Sequence, residues 1–400
     1  MATRKSRKSS GHAATLKVPD YPRIALLLQG GGALGSYQAG VIEGLNEAGI
    51  HANWVAGISI GALNACIFAG NAPEHRVDRL RKFWSTICQP PSVAASAMRS
   101  TFDLLGDVVQ PWRDLTQGVT DRVFGSYAAT RAMMEGQKGF FSPRPLAPGM
   151  GSPATTSFYD TKPVIATLER LADFDRINSG ETRVSVGAVN VRTGNFMYFD
   201  NAEMRLRPEH FLASGSLPPG FPAVEIDGEF YWDGGCVSNT PLDYIFNQRP
   251  RQDSLIFQVD LWSAVGELPT NVLQIAERLK DIQYSSKTRG VTNSIKELQE
   301  LRQKLWDTID RIPASVRAKD PWFDELAKRL FGVRYNCIHL IYKNKPIEGH
   351  YKDYEFSHET MRLHWDTGLT DVRRTLEHPG CLDYPPPGEN FVTFDVHRHG

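Results

Sequence analysis

The feature that most constrains the fold is a short unit near the N-terminus in which apolar and helix-forming segments alternate. The apolar run at residues 24–29 ends in glycines and leads into a predicted helix at residues 36–48. A second apolar run at residues 54–58 precedes another helical segment at residues 62–69. Short apolar runs are typical of buried strands, and short connections through a helix favour a right-handed parallel unit. The sequence therefore predicts an α/β fold with a parallel sheet.

The second apolar run leads into Gly57-Ile58-Ser59-Ile60-Gly61, which has the spacing of a nucleophile elbow. Such a turn presents the serine hydroxyl at the carboxyl end of the sheet, and glycines on either side avoid steric clashes. The positive end of the following helix would stabilise negative charge that develops there. The pattern makes Ser59 the candidate nucleophile, with Gly57 and Gly61 shaping the elbow.

The glycines after the first strand are compatible with two kinds of site. Gly30, Gly32 and Gly35 have the spacing of a dinucleotide-binding loop, which requires an acidic residue at the end of the second strand. Here that strand ends at Ser59 and carries no acidic residue. Together with Gly31, these glycines therefore favour an oxyanion hole, in which bare backbone N–H groups closely approach a tetrahedral intermediate.

The serine needs a base, and the residues alone leave two candidates open. Asp233 follows a predicted strand and precedes Gly234 and Gly235, so its carboxylate could point into the same mouth as Ser59. An ordinary Asp-Gly turn would give the same pattern. Histidine is the more usual base, and His210 is the best candidate among the 11 histidines.

Charge and cysteine content exclude several classes of protein. The chain has 45 basic and 45 acidic residues, whereas proteins that bind nucleic acid usually carry a basic footprint, so no nucleic acid partner is predicted. The five cysteines are widely spaced and form no CxxC pair, so neither a disulfide framework nor a metal site is expected. This use of cysteine fits the cytoplasm best.

Neither a membrane span nor a signal peptide is predicted. No apolar run approaches the ~20 residues that a bilayer-spanning helix needs. The basic segment at residues 1–20 lacks the apolar stretch of a signal peptide, so we expect a disordered tail. Residues 86–160 are rich in proline, glycine and serine, and we expect either a lid over the site or an ordinary surface insertion.

The second half of the chain changes character at about residue 266. Patterns typical of a parallel sheet resume at residues 183–191, 196–199, 229–233 and 254–261. Beyond them helix formers dominate, with a break predicted at Gly290 and one late strand at residues 336–343. One apolar stripe is expected to pack on the body of the protein, and it consists of Ile295, Leu298, Leu301, Leu305 and Ile309.

The glycine loop, the serine elbow and the Asp-Gly-Gly turn together resemble the patatin-like phospholipase family over about residues 21–265. Residues 213–222 also look like the segment that precedes the family's aspartate. The resemblance implies a three-layer α/β/α catalytic domain that hydrolyses lipid or other acyl esters without a cofactor or metal. It implies that Ser59 is acylated, that Asp233 is the base, and that N–H groups around Gly31 and Gly32 hold the oxyanion.

The resemblance leaves the substrate open. Many relatives carry Arg or Lys in the glycine loop where this chain has Leu34, so a phosphate headgroup is not implied. Lysophospholipid, neutral lipid and polyesters such as polyhydroxybutyrate are all candidates. Acyl transfer by the same dyad and a non-catalytic lipid-binding scaffold are the alternatives, and peripheral membrane contact is compatible with each.

Residues 266–400 resemble a mostly helical C-terminal extension of some bacterial members. An acyl pocket is a further prediction, lined by Trp112, Phe124, Phe140 and Phe141.

Overall fold

A computed structural model describes residues 18–88, 129–144, 151–285, 288–330, 332–343, 348–349, 351–387 and 389–396. The predicted tail at residues 1–20 lies outside this description except for its last three residues. Much of the predicted lid at residues 86–160 also lies outside it, together with Trp112 and Phe124. Among the described residues, no helix combines the length and the apolar character needed to cross a bilayer.

Within the described ranges, nine strands form the main sheet and two short strands form a separate pair. In chain order they are β1 (Arg23–Leu28), β2 (Trp54–Ile58), β3 (Ser142–Pro143), β4 (Tyr159–Asp160), β5 (Arg183–Asn190), β6 (Phe196–Asp200), β7 (Val224–Ile226), β8 (Glu229–Asp233), β9 (Ser254–Asp260), β10 (Tyr335–Ile341) and β11 (Phe391–Phe394).

The helices whose two ends are described flank this sheet, and two short 3₁₀ turns occur at Gly32–Gly35 and Gly234–Cys236. The helices are α1 (Ser36–Glu47), α2 (Ile60–Ala69), α3 (Pro73–Ile87), α4 (Lys162–Leu171), α5 (Phe174–Ile177), α6 (Pro208–Ser214), α7 (Leu242–Asn247), α8 (Val272–Tyr284), α9 (Thr288–Asp310), α10 (Ala314–Arg317), α11 (Pro321–Leu330) and α12 (His358–Leu376).

Strand order in the main sheet is β11-β10-β9-β1-β2-β5-β8-β7, and β6 also pairs with β5. Strands from β11 to β5 are parallel, whereas β6, β7 and β8 run antiparallel to their neighbours. The prediction that residues 196–199 and 229–233 continue the parallel pattern was therefore wrong. Only five residues separate β5 from β6, and a parallel crossover needs a dozen or more.

Register within the sheet brings the ends of β2 and β8 together. β5 pairs with β2 over residues 183–187 and with β8 over residues 188–190. β6 pairs with residues 185–189 and overlaps both, so it must occupy the opposite edge of β5. Because β2 and β8 then share one edge of β5, the residue that follows Ile58 meets the last residue of β8.

Alternating side chains of β1 show why helices lie on both faces of the main sheet. Leu26 and Leu28 belong to the larger apolar core, which also contains side chains of α1, α2, α3 and α12. Ala25 and Leu27 point to a second core, where they pack with α7 and with Ile295 of α9. This is the predicted three-layer α/β/α arrangement, since every position of a buried parallel strand must be covered.

The C-terminal region continues the same sheet and covers the same core. β10 pairs with β9, and β11 pairs with β10 as a second late strand that the sequence did not reveal. α12 lies so close to α1 that a Cβ on Gly40 would sit 1.9 Å from the Trp365 carbonyl oxygen. A Cβ on Gly368 would likewise sit 2.1 Å from the Tyr37 carbonyl oxygen, so glycines set the contact distance between these helices.

Two predictions about the C-terminal helices need correction. The break between them falls after Tyr284, and Gly290 lies inside α9, where the cost of one glycine is only about 1 kcal/mol. The predicted apolar stripe packs on the protein only at Ile295 and Ile309. The remaining positions of the stripe are exposed, and they are Leu298, Leu301 and Leu305.

Candidate active site

Ser59 occupies a sharp turn between β2 and α2. Its backbone has φ 55° and ψ −125°, a conformation that non-glycine residues rarely adopt and that commonly marks functional sites. A Cβ on Gly57 would lie 2.4 Å from the Gly61 carbonyl group, and one on Gly61 would lie 2.2 Å from the Leu28 carbonyl oxygen. The two glycines flanking the serine are therefore required by close backbone packing.

A hydrogen-bonded chain fastens this turn to the neighbouring strand. The Ser59 N–H donates to Ser214 Oγ at 3.1 Å, and the Ser214 hydroxyl donates to the Gly187 carbonyl of β5 at 2.7 Å. Ser214 is fully buried at the end of α6. It lies within the segment 213–222 that resembles the family's, but nothing in the sequence assigned it this contact.

Asp233 is the last residue of β8 and is almost wholly buried. The pairing of β2 and β8 with β5 places the Ser59 side chain beside the Asp233 carboxylate, and the Gly235 N–H donates to Oδ1 at 2.7 Å. The Asp233 N–H donates to the Ser216 carbonyl at 3.0 Å, which fixes the strand end. Burial raises the pKa of Asp233 to about 7, although the donors from Ser59 and Gly235 oppose that rise.

The glycine loop presents two unpaired backbone donors. Among the described residues, the N–H groups of Gly31 and Gly32 have no hydrogen-bond acceptor. Gly30 differs, because its N–H faces the Asn239 carbonyl at 3.4 Å. A Cβ on Gly30 would lie 3.0 Å from the Ser59 Cβ, which places this loop directly beside the serine. Gly35 packs against Ile60 at the start of α2, where a Cβ would lie 2.6 Å from that side chain.

Side chains from distant parts of the chain hold the glycine loop. The Gly30 carbonyl accepts hydrogen bonds from Asn239 Nδ2 at 3.0 Å and from Trp262 Nε1 at 2.8 Å. Gln29 Oε1 accepts the backbone N–H groups of Leu261 and Trp262 at 2.6 and 3.0 Å, and its Nε2 donates to the Tyr284 carbonyl at 3.1 Å. None of these supports was predicted, because each contact joins residues far apart in sequence.

The C-terminal region also contacts the loop through its backbone. The Ala33 N–H donates to the Asp353 carbonyl at 2.8 Å. Gly32 has φ +55°, and a Cβ there would lie 2.0 Å from the same oxygen. Next to this contact the buried Lys352 donates to Asp281 at 2.5 Å and lies 5.0 Å from the Trp262 ring centroid. A salt bridge between α8 and this segment thus stands directly behind the loop.

His210 is engaged elsewhere. Its Nδ1 accepts a hydrogen bond from the Arg207 N–H at 2.8 Å, and its ring packs edge-on to Phe199. Burial lowers the pKa of this imidazole. Because Asp233 lies beside Ser59 whereas the His210 ring bonds Arg207, the carboxylate is the titratable group placed next to the serine.

The two candidate pocket aromatics within the described residues are buried in an aromatic cluster. Phe140 lies 5.9 Å from Phe221 and 5.7 Å from Phe356, measured between ring centroids. Phe141 lies 5.2 Å from Phe221, which belongs to the segment leading to Asp233. Lining of an acyl pocket by this cluster stays a prediction. Leu34 is fully buried in the main core.

Two models of known families match this chain. A model described as patatin-like phospholipase matches residues 26–246, which include both Ser59 and Asp233. The chain belongs to the patatin-like phospholipase family. A second model, described as patatin phospholipase, matches residues 282–388. The C-terminal patatin-like region therefore has a family signature of its own.

Individual relatives agree over shorter stretches. Patatin-like phospholipase domain-containing protein 6 of Mus musculus is 31% identical over 124 residues, which are 31% of this chain and 8% of that protein. Lysophospholipase nte1 of Aspergillus terreus is 49% identical over 49 residues, 12% of this chain and 3% of the relative. The chain thus spans less than a tenth of either protein. Among solved structures, VipD from Legionella pneumophila is similar with 13% identity and a TM-score of 0.36, covering 90% of this chain and 67% of that one.

Proposed function

We propose that this patatin-like chain is a serine-dependent carboxylic-ester hydrolase that acts on lipid acyl esters, with Ser59 as nucleophile and Asp233 as base. The observation that carries the proposal is the placement of Ser59, in a sharp turn, beside a buried carboxylate whose pKa is about 7. A carboxylate of ordinary pKa near 4 would be a weak base for a hydroxyl, whereas one near 7 is matched to neutral pH.

In the first half of the reaction, Asp233 accepts the proton from Ser59 as Oγ attacks the ester carbonyl. The tetrahedral intermediate then collapses, the C–O bond to the alcohol breaks, and Asp233 returns its proton to the leaving oxygen. In the second half, a water molecule gives a proton to Asp233 and attacks the acyl-serine ester. Collapse of that intermediate releases the fatty acid and returns the proton to Ser59. These steps use water and the dyad alone.

The negative oxygen of each intermediate would be stabilised by the N–H groups of Gly31 and Gly32. Their lack of an acceptor among the described residues supports this role. The N-terminus of α2, which begins at Ile60, adds its dipole at the same place. Donors of this kind are typically worth about 10²–10³ in turnover. Gly30 and Gly35 are assigned to shaping the loop.

The substrate class follows from the family and stays broad. The fungal relative is named a lysophospholipase, which favours a lysophospholipid over the neutral-lipid and polyester candidates. The same dyad could pass the acyl group to an alcohol instead of water. We assign the catalytic residues to residues 21–265 and a supporting role to residues 266–400, because Trp262 and Asp353 fasten the glycine loop from either side of that boundary.

The test is hydrolysis of p-nitrophenyl esters of increasing chain length by wild type, Ser59→Ala and Ser85→Ala. Ser85 is an exposed serine on α3 and serves as the matched control. We expect Ser59→Ala to lose at least about 10³-fold in kcat and all labelling by a fluorophosphonate probe, while Ser85→Ala keeps both. Comparison of Asp233→Asn with His210→Gln identifies the base. Near-normal turnover by Asp233→Asn would overturn the dyad.

A further inference from the structure

Helix α8 has its charged and apolar sides reversed relative to the usual surface helix. A surface helix normally buries its apolar stripe and exposes its charges. In α8, all of whose residues are described, each exposed side chain is uncharged. The charged side chains, by contrast, are all buried or half-buried, and they are Glu277, Arg278, Lys280 and Asp281.

The charges of α8 are used to fasten the helix to the protein. Lys280 forms a salt bridge with Asp353 at 2.8 Å, and Asp281 pairs with the buried Lys352. Glu277 lies 3.8 Å from the same lysine. Arg278 donates to the carbonyl groups that precede the helix, at residues 263 and 264. The polar face of α8 is therefore the inner face.

The outer face of α8 is a continuous apolar stripe. Successive members of this stripe are three, four and three residues apart, which places Val272, Ile275, Leu279 and Ile282 along one side of the helix. Each of these side chains is between 53% and 78% exposed, and Leu268 in the preceding loop is 91% exposed. Contiguous exposed apolar surface of this kind marks an interaction site.

The stripe adjoins the candidate active site. α8 ends at Tyr284, whose carbonyl accepts hydrogen bonds from Gln29 at 3.1 Å and Asn239 at 2.9 Å, and both residues help to hold the glycine loop. The exposed Val237 comes only four residues after Asp233. A flat apolar body seated on α8 would thus lie close to the residues that hold the glycine loop.

We propose that the outer face of α8, defined by Val272, Ile275, Leu279 and Ile282, docks on a lipid surface and delivers the ester to Ser59. The inference rests on the proposed lipid-hydrolase function, because a lipid aggregate is the one occupant that also supplies substrate to the adjacent site. The absence of charge on this face selects an electrically neutral surface, such as zwitterionic phosphatidylcholine. Binding is driven by insertion of the side chains on this face of α8 into the boundary between the headgroups and the acyl chains.

The experiment measures co-sedimentation with dioleoylphosphatidylcholine vesicles in a Ser59→Ala background, so that binding is read independently of catalysis. The test variant is Leu279→Gln/Ile282→Gln. The control variant is Met204→Gln. Met204 is an exposed apolar residue beside Asp200, and Asp200 pairs with Ser185 at the end of β5 that lies away from the site. We expect the test variant to partition at least about tenfold more weakly, and the control to bind like the parent, with little dependence on salt.

A second measurement separates docking from the chemistry and from folding. With Ser59 intact, the same double variant should hydrolyse a water-soluble short-chain ester at the wild-type rate and lose activity only on vesicle-borne lipid. Equal vesicle binding by the double variant and its parent, or no binding by the parent, would overturn the proposal. The proposal would also be overturned if the wild-type protein did not bind vesicles but formed a dimer that Leu279→Gln/Ile282→Gln converts to a monomer. In that case a second copy of the chain would cover the stripe. Failure of all ester hydrolysis would instead overturn the proposed function alone.

Discussion

At the scale of single residues, the candidate site depends on the surroundings of one carboxylate. Asp233 is buried at a strand end, and two hydrogen-bond donors recover only part of the cost of burying its charge. A pKa near 7 is therefore the direct consequence of where β8 ends. Sequence reasoning found Asp233 from the glycines that follow it, but its burial and its pKa depend on the packing of β5, β8 and the segment before β8.

The pH dependence of catalysis should report this pKa. Only ionised Asp233 can accept the serine proton, so kcat/KM for a soluble ester should rise with pH, pass its midpoint near 7 and level off above it. The measurement is a pH–rate profile between pH 5 and 9. A midpoint below 6.5 would instead favour His210, because burial lowers the pKa of that imidazole.

Removal of the carboxylate should change the pH dependence of stability. Between about pH 4 and 7 the folded chain binds a proton at Asp233 that the unfolded chain has released, so wild-type stability falls as pH rises through that window. Asp233→Asn has no such proton. When the pH is raised from 5 to 8, the free energy of unfolding of the variant should therefore increase by about 3 kcal/mol relative to that of wild type.

Urea unfolding of both proteins at the two pH values measures this difference. An identical gap between variant and wild type at pH 5 and pH 8 would mean that Asp233 is already ionised at pH 5 in the folded protein. Asparagine is a suitable substitute because its carbonyl oxygen can still accept the Gly235 N–H.

At the scale of elements, local sequence predicted the first half of the site well. The strand–glycine loop–helix and strand–serine–helix units lie within a residue or two of their expected bounds, because glycines and apolar runs act locally. Strand direction was harder. The segments at β6 and β8 have apolar patterns that serve either direction. The short β5–β6 connection excludes a parallel arrangement for β6, but nothing as local fixes the direction of β8.

The supports of the glycine loop were invisible to local reasoning for a different reason. Lys352 and Asp281 are 71 positions apart, and each alone is an ordinary charged residue. Only the packing of α8 against the segment before α12 makes them a buried pair. The role of the C-terminal region at the glycine loop therefore emerges from tertiary contacts.

This buried pair gives a prediction at the element scale. Among the described residues, Asp281→Asn leaves the buried Lys352 charge with one remaining acidic partner, Glu277 at 3.8 Å. We expect a loss of up to about 3–5 kcal/mol in stability, because an unpaired buried charge is costly. We also expect kcat to fall by as much as about 10², since Asp353 no longer fixes the loop firmly.

Urea unfolding and turnover of a soluble ester measure the two effects. Asp175→Asn is the matched control, because Asp175 forms an exposed salt bridge with Arg205 and should contribute little. If Asp281→Asn kept wild-type stability and turnover, Lys352 would have no part in holding the loop.

At the scale of the whole molecule, the two family-matched regions form one folded body. β10 covers an edge of β9, and α12 covers the glycine-lined face of α1. A chain that ends at Val265 would expose both surfaces. We expect such a truncated chain to aggregate and to lack ester hydrolysis, because an uncovered apolar strand edge promotes association.

Size-exclusion chromatography and circular dichroism of the truncated chain test this prediction. Removal of residues 1–17, which belong to the predicted tail at residues 1–20, is the control and should leave folding unchanged. A monomeric, active fragment ending at Val265 would show that residues 266–400 are dispensable for the core.

The pairing of β1 with β9 also bears on how the chain is made. The two strands are neighbours in the sheet, yet β9 is synthesised roughly 230 residues after β1. At a translation rate of about 5–20 residues per second, the N-terminal units wait for tens of seconds on the ribosome without that neighbour. Asp353, which contacts the glycine loop, emerges later still. Ser59, the proposed nucleophile, is therefore among the first parts of the candidate site to be made, and the support behind the glycine loop is among the last. A nascent chain should consequently remain without esterase activity until Asp353 has been made.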